Sequence, residues 1–244
     1  IVENILRAPL TGPGIIDNLQ TRLNSAEGSA GLLAAGFESL GVRPSKASPA
    51  PASTPAPDLT PALAACVGTL LSRLNAAQLD LNAAVASLTP EERARAKNAV
   101  DVALGDNAFL PTRGADFDAA LRFDLPRLAA AGLTAARAVD EALPALERAR
   151  QSAPSHYSAR INSPIGAVLI SAGDAELGPQ ELAEAGLVIR LGGKTNYKGP
   201  AAAAAEGQVR VIIDLGGPAV IESSGPAAGS GDFGIGLLYL LGPG

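Results

Sequence analysis

Along the first two thirds of the chain, apolar residues recur at helical spacing; along the last third they gather into short β-branched runs. Leu63, Val67, Leu70, Leu74, Ala77, Leu81, Ala84 and Leu88 step by alternating four and three, which holds one stripe on a single helix face for about seven turns. Alanine within that stripe lets a second helix approach closely. Thr89-Pro90-Glu91-Glu92 then opens another helix, with Thr89 as cap, Pro90 as first helical residue and Glu92 closing a capping box. Gly105 is expected to end it. Two more helices are expected near Phe117–Ala131 and Thr134–Gln151, each kinked or shortened by its proline, Pro126 or Pro144. Nearer the start, Ile15, Ile16, Leu19 and Leu23, then Leu32, Leu33, Phe37 and Leu40, mark two short helices. Gly12-Pro13-Gly14 introduces the first and Gly41 ends the second.

Composition divides the chain into four parts. Residues 1–43 form a helical segment. Residues 44–60, centred on Ser48-Pro49-Ala50-Pro51-Ala52-Ser53-Thr54-Pro55, read as a semi-rigid Pro/Ala/Ser/Thr linker, because proline lacks an amide donor and favours extended backbone. Residues 61–156 make a helical domain, expected as a small antiparallel bundle. Residues 157–244 make a β-repeat domain that reads as incomplete, since it stops directly after a strand. Its strand candidates are Ile165–Ile170, Leu187–Ile189, Val209–Ile213 and Ile235–Tyr239, each followed by a glycine turn. Matched glycines lie 20 residues apart (Gly173 to Gly193) and 24 apart (Gly193 to Gly217). A strand–turn unit of that period predicts stacking into a β-solenoid, so the expected fold class is α+β: a helical bundle region followed by a solenoid. Pro179–Glu184 is expected to form a short helical turn between two strands.

The stretches Leu187-Val188-Ile189-Arg190-Leu191-Gly192-Gly193-Lys194-Thr195-Asn196-Tyr197 and Val211-Ile212-Ile213-Asp214-Leu215-Gly216-Gly217 resemble bacterial repeat proteins with units of the form IDLGGxDxY. That resemblance covers the last third of the chain. It implies a large exported protein with a β-solenoid fold, sometimes with acidic, calcium-binding turns. Here Lys194-Thr195 and Pro218-Ala219 stand where those turns carry aspartates, which removes the oxygen ligands a hard cation needs.

Chemistry is sparse. The net charge of −5 over 244 residues argues against a nucleic-acid partner, which calls for a basic face. One cysteine, Cys66, forms no internal disulfide, and one histidine, His156, builds no His-rich metal site. No apolar run reaches the roughly 18–20 residues of a membrane-spanning helix. Gly192-Gly193-Lys194-Thr195 lacks the earlier glycine of a phosphate loop, whose place Val188 takes. Gly229-Ser230-Gly231-Asp232-Phe233-Gly234 spells a dinucleotide fingerprint but leads into a strand, and turn glycines explain it better. His156 reads as a junction residue, Cys66 as a structural thiol, and Asp116/Asp118 and Asp140/Glu141 as helix-start and surface charges. No catalytic, cofactor or metal residue is expected.

The expectation is therefore a non-enzymatic assembly subunit of an envelope or extracellular bacterial complex. Other protein subunits would meet it at the apolar helix stripe and at an open strand edge formed by Ile235, Leu237, Leu238, Tyr239, Leu240 and Leu241. Two other readings are a module that binds a specific partner or metal through the repeat surface, and a hydrolase.

Overall fold

The computed structural model describes residues 12–51, 59–104, 114–231 and 233–242. Its helices are α1 (Gly12–Asn24), α2 (Gly28–Ser39), α3 (Pro61–Val85), α4 (Pro90–Leu104), α5 (Ala115–Leu121), α6 (Leu125–Ser152) and α7 (Pro179–Glu184). The strands are β1 (Tyr157–Ser163), β2 (Gly166–Ala172), β3 (Ala175–Leu177), β4 (Ala185–Arg190), β5 (Thr195–Lys198), β6 (Val209–Asp214), β7 (Ala219–Glu222) and β8 (Ile235–Leu240). One sheet runs β1-β2-β4-β6-β8, antiparallel at β1–β2 and parallel elsewhere; a second, wholly parallel sheet runs β3-β5-β7.

Side-chain alternation sorts these elements into three layers. Val168, Ile170, Leu187, Ile189, Val211 and Ile213 face α3 and α6, where they meet Leu70, Leu74, Leu81, Val139 and Leu146 in one core. The opposite face of the large sheet presents Leu169, Val188 and Ile212 to Leu177 and Tyr197 of the small sheet. A strand buried on both faces has no polar side to show, which is why β4 is buried at every position and reads as an unbroken apolar run.

The expected β-solenoid is overturned. Residues 157–244 form a mixed five-stranded sheet and a separate three-stranded parallel sheet within an α+β fold. Two physical facts separate it from stacked identical units. The antiparallel β1–β2 pair breaks the repeat at one end, and the apolar face of the large sheet is covered by α3 and α6 rather than by successive units. The repeat period survives as strand register: Leu187 pairs with Val211, 24 residues on, and Val211 with Leu237, 26 residues on. The helical turn expected at Pro179–Glu184 is α7.

The helix stripe is wholly internal. Its eight residues, Leu63, Val67, Leu70, Leu74, Ala77, Leu81, Ala84 and Leu88, are each 5% exposed or less, so the stripe is not the subunit contact the sequence suggested; it seals the helix layer onto α6 and the sheet. α3 and α6 run antiparallel, since the Asp124 amide donates to the Ala84 carbonyl while Cys66 lies against the Ala142 carbonyl. The helix pair expected near Phe117–Ala131 and Thr134–Gln151 divides elsewhere. Asp124 caps α6 by accepting from the Arg127 amide at 3.0 Å, Pro126 falls harmlessly in the first turn, and the helix runs on through Pro144. Thr89 and Glu92 form the expected reciprocal cap, the Glu92 amide donating to Thr89 Oγ1 at 3.3 Å and the Thr89 amide to Glu92 Oε2 at 2.8 Å. The expected stop at Gly105 lies outside the described residues.

The described part of the proline-rich stretch is docked rather than free. The Ser45 amide donates to the Pro126 carbonyl, the Ser48 amide and hydroxyl donate to buried Asp80 of α3, and the Ser72 hydroxyl donates to the Pro51 carbonyl. α2 is held from a distance too. Its first turn lacks a cap of its own, and Asp140 of α6 supplies one, accepting from the Ser29 amide (3.2 Å), the Ser29 hydroxyl (2.8 Å) and the Ala30 amide (2.9 Å). Asp140→Ala should therefore lower stability by about 2 kcal/mol. Hydrogen exchange should locate the loosening in α2; uniform exchange across the helices would contradict this.

Candidate functional site

The large sheet ends at two strands of opposite character. β1 alternates half-buried and exposed positions, and its outward Arg160 pairs with Glu184 at 2.7 Å, so charge blunts that edge. β8, Ile-Gly-Leu-Leu-Tyr-Leu, carries neither charge nor proline. It pairs with β6 on one side and with no strand among the described residues on the other. The Ile235 amide donates to the Gln208 carbonyl and the Leu241 amide to the Asp214 carbonyl, both at 2.8 Å. By strand alternation, the amides and carbonyls of Gly236, Leu238 and Leu240 point away from β6; Gly229 lies against the Leu238 amide and the Gly236 carbonyl, and the side is open at Leu240.

The six residues singled out in sequence take distinct places. Ile235 is 7% exposed and belongs to the helix-side core, with Leu237 and Tyr239 packed at its margin. Leu238 borders the core between the sheets, as does Ile221 of β7. Leu240 and Leu241 are each 46% exposed. β7 is likewise the last strand of its sheet, and its Val220 is 53% exposed. The large sheet runs one strand further than the small one, because β6 and β7 are joined by the Leu215-Gly216-Gly217 turn and β8 has no counterpart beside β7 among the described residues.

β8 is fixed from the helix side. The Tyr239 hydroxyl hydrogen-bonds Ser29 Oγ, whose own proton goes to Asp140, and burial pushes the Tyr239 phenol upward from its ordinary range. A polar cluster fixes the turns at the ends of the strands. Arg190, fully buried, donates to Thr195 Oγ1 (3.0 Å), to the Gly192 carbonyl (3.1 Å), to the Ser171 hydroxyl and to the Gly173 carbonyl. Asp214, its register partner, accepts from the Tyr197 hydroxyl (2.6 Å) and the Gly216 amide (2.8 Å). Burial lowers the Arg190 guanidinium from its ordinary value against the opposing pull of Asp214. Burial, then the Asp214 charge, raises the Tyr197 phenol. Arg190 and Asp214 are the groups sequence reasoning missed, and each had a signal: a charge inside an apolar run.

The remaining candidates stay apart from one another. Lys194 donates its amide to Asp174, Thr195 accepts from Arg190, and Asn196 donates to Glu222, so this trio shapes the turn and the small sheet. His156 lies against Gly173 at the junction between α6 and β1. Cys66 is half-buried on α3, and burial pushes its thiol upward, away from the thiolate a nucleophile needs. Asp116 and Asp118 occupy the first turn of α5, and Glu141 pairs with Arg73 at 2.5 Å. Asp232 of the glycine-rich motif is outside the described residues, and the motif leads into β8, a strand rather than a helix. Among the described residues, no three His, Cys, Asp or Glu side chains gather so as to hold a metal ion, and no helix is long and apolar enough to cross a membrane. Comparison with protein-family models, with characterised proteins and with solved structures finds no match.

Proposed function

We propose that this chain is a non-enzymatic assembly subunit that joins other protein subunits by accepting a strand at its β8 edge. One observation carries the reading: of the two ends of the same sheet, β1 is protected by charge while β8 is uncharged, proline-free and exposed at Leu240 and the adjoining Leu241. An edge of that kind offers unpaired main-chain groups and apolar area together, the two components of strand addition. The likeness of the glycine turns to exported bacterial repeat proteins supports placing the assembly in the envelope or outside the cell.

Leu240→Pro tests it. Proline removes the one amide of exposed Leu240, which points away from β6, and leaves the β6–β8 ladder intact. The full chain carrying this change should keep its circular dichroism spectrum and lose its native complex in size-exclusion chromatography. Leu121→Asp, at a leucine 79% exposed on α5, serves as control and should leave the complex unchanged. A folded Leu240→Pro protein that still assembles would overturn the reading.

A further inference from the structure

We infer that residues 225–231 form a displaceable strap over the first half of the β8 edge, and that its release lengthens the edge open to strand addition; this rests on the assembly reading above. The strap belongs to the connection from β7 to β8. A Cβ on Gly229 would stand 3.3 Å from the Leu238 amide nitrogen and 3.5 Å from the Gly236 carbonyl oxygen, so the segment touches both main-chain groups. A Cβ on Gly236 would in turn overlap the Ser230 carbonyl. Gly236 and Leu238 are thus shielded, while Leu240 is bare.

The strap is lightly held for its length. Gly225-Pro226-Ala227-Ala228-Gly229-Ser230-Gly231 has no side chain larger than proline, so little apolar area keeps it in place. The hydrogen bonds that tie it down go to the loop after β5. The Gly229 amide donates to the Ala201 carbonyl at 3.3 Å, and the Ala204 amide donates to the Ser230 carbonyl at 2.9 Å. Three glycines in seven residues enlarge the conformational freedom gained on release.

Backbone strain favours release as well. Ala228 has φ +55° and Phe233 φ +52°, a left-handed conformation that disfavours any Cβ and a bulky side chain most of all. Phe233 is kept there by the helix layer. Its ring stacks on Phe123, between α5 and α6, with centroids 4.8 Å apart and planes 29° from parallel. Its carbonyl accepts from the Gly207 amide at 3.0 Å, and Phe123 is itself buried with Ala84, Val85 and Leu88. The aromatic pair is the latch. While it holds, the chain entering β8 is pinned to the helix layer; when it parts, the strained residues relax and the strap lifts. Lifting frees the Leu238 amide and the Gly236 carbonyl, so an incoming strand gains those bonds only by displacing the strap. Until then the strap shortens an edge that has neither charge nor proline to protect it.

Hydrogen exchange of the full chain, resolved at single amides, tests this. The Leu238 amide should exchange faster than those of Ile189 and Val211 in the sheet interior, through strap opening that precedes global unfolding. Relative to those two amides, Phe233→Ala should speed Leu238 exchange about tenfold by losing the stacked pair. Ala228→Gly, which removes strain and leaves the latch, should slow it about threefold. In size-exclusion chromatography Phe233→Ala should enter the native complex at lower concentration than the unmodified chain, and Ala228→Gly only at higher concentration. Leu238 exchange that tracks the two interior amides in every variant would overturn the strap. So would a complex indifferent to both changes when exchange has shifted. Assembly by folded Leu240→Pro would strike the edge reading instead, since exchange at Leu238 reports strap opening without any partner.

Discussion

Arg190→Met should lower the unfolding free energy by about 3–5 kcal/mol, because it leaves a buried carboxylate without its cation. Arg190 and Asp214 are 0% and 1% exposed and lie opposite each other in the β4–β6 ladder. The arginine also satisfies two carbonyls and two hydroxyls drawn from β2, the turn after it, the turn after β4, and β5. Methionine replaces none of those donors, so each acceptor loses its partner in a place water does not reach. Pairing Arg190→Met with Asp214→Asn should recover part of the loss, since the second change removes the stranded charge. Urea unfolding of the two single variants and the double variant measures this directly. A loss below about 1 kcal/mol for Arg190→Met, or strict additivity in the double variant, would mean that the two charges do not depend on one another.

Leu74→Asp should be nearly as damaging, by several kcal/mol at neutral pH. Leu74 is fully buried where α3 meets α6 and the sheet, and no donor is in place to receive a carboxylate. Burial disfavours the ionised form, so the new carboxyl would have a higher pKa folded than unfolded. The folded state then binds the proton more tightly, and stability falls as pH rises from the unfolded pKa through the folded one. The deficit relative to the unmodified chain should accordingly be smaller near pH 4 than at pH 7. Thermal melts at the two values check both size and sign; an equal deficit at both would show that the introduced carboxyl reaches solvent.

The pattern of apolar positions made the central parts of this fold legible and hid their relation. The stripe from Leu63 to Leu88 and the runs around Ile189 and Ile213 correspond to α3, β4 and β6. Taken as separate regions, helices and strands each lacked a partner, and stacked units were a natural way to bury the strands. The structure resolves both needs at once by laying α3 and α6 over one face of the sheet. β3, β5 and β7 left little trace, because each spans only three or four residues and turns Glu176, Asn196, Lys198 or Glu222 outward. β8 was visible as an uncharged run, and it stands at the end of the large sheet. Its division into a buried Ile235 and an exposed Leu240 depends on the helix layer, which no local pattern encodes.

The contact between Ser29 and Tyr239 joins positions 210 residues apart in the chain. Protein synthesis proceeds at about 5–20 residues per second, so roughly 10–40 seconds separate the emergence of α2 from that of the strand that anchors it. Throughout that interval the α3–α6 hairpin, whose contacts are nearer in sequence, can already be closed, while α2 is held by Asp140 and by its packing on α6 without the Tyr239 contact. Completion of β8 is therefore the step that converts the growing chain from a helical hairpin with a loosely tethered arm into the closed three-layer structure.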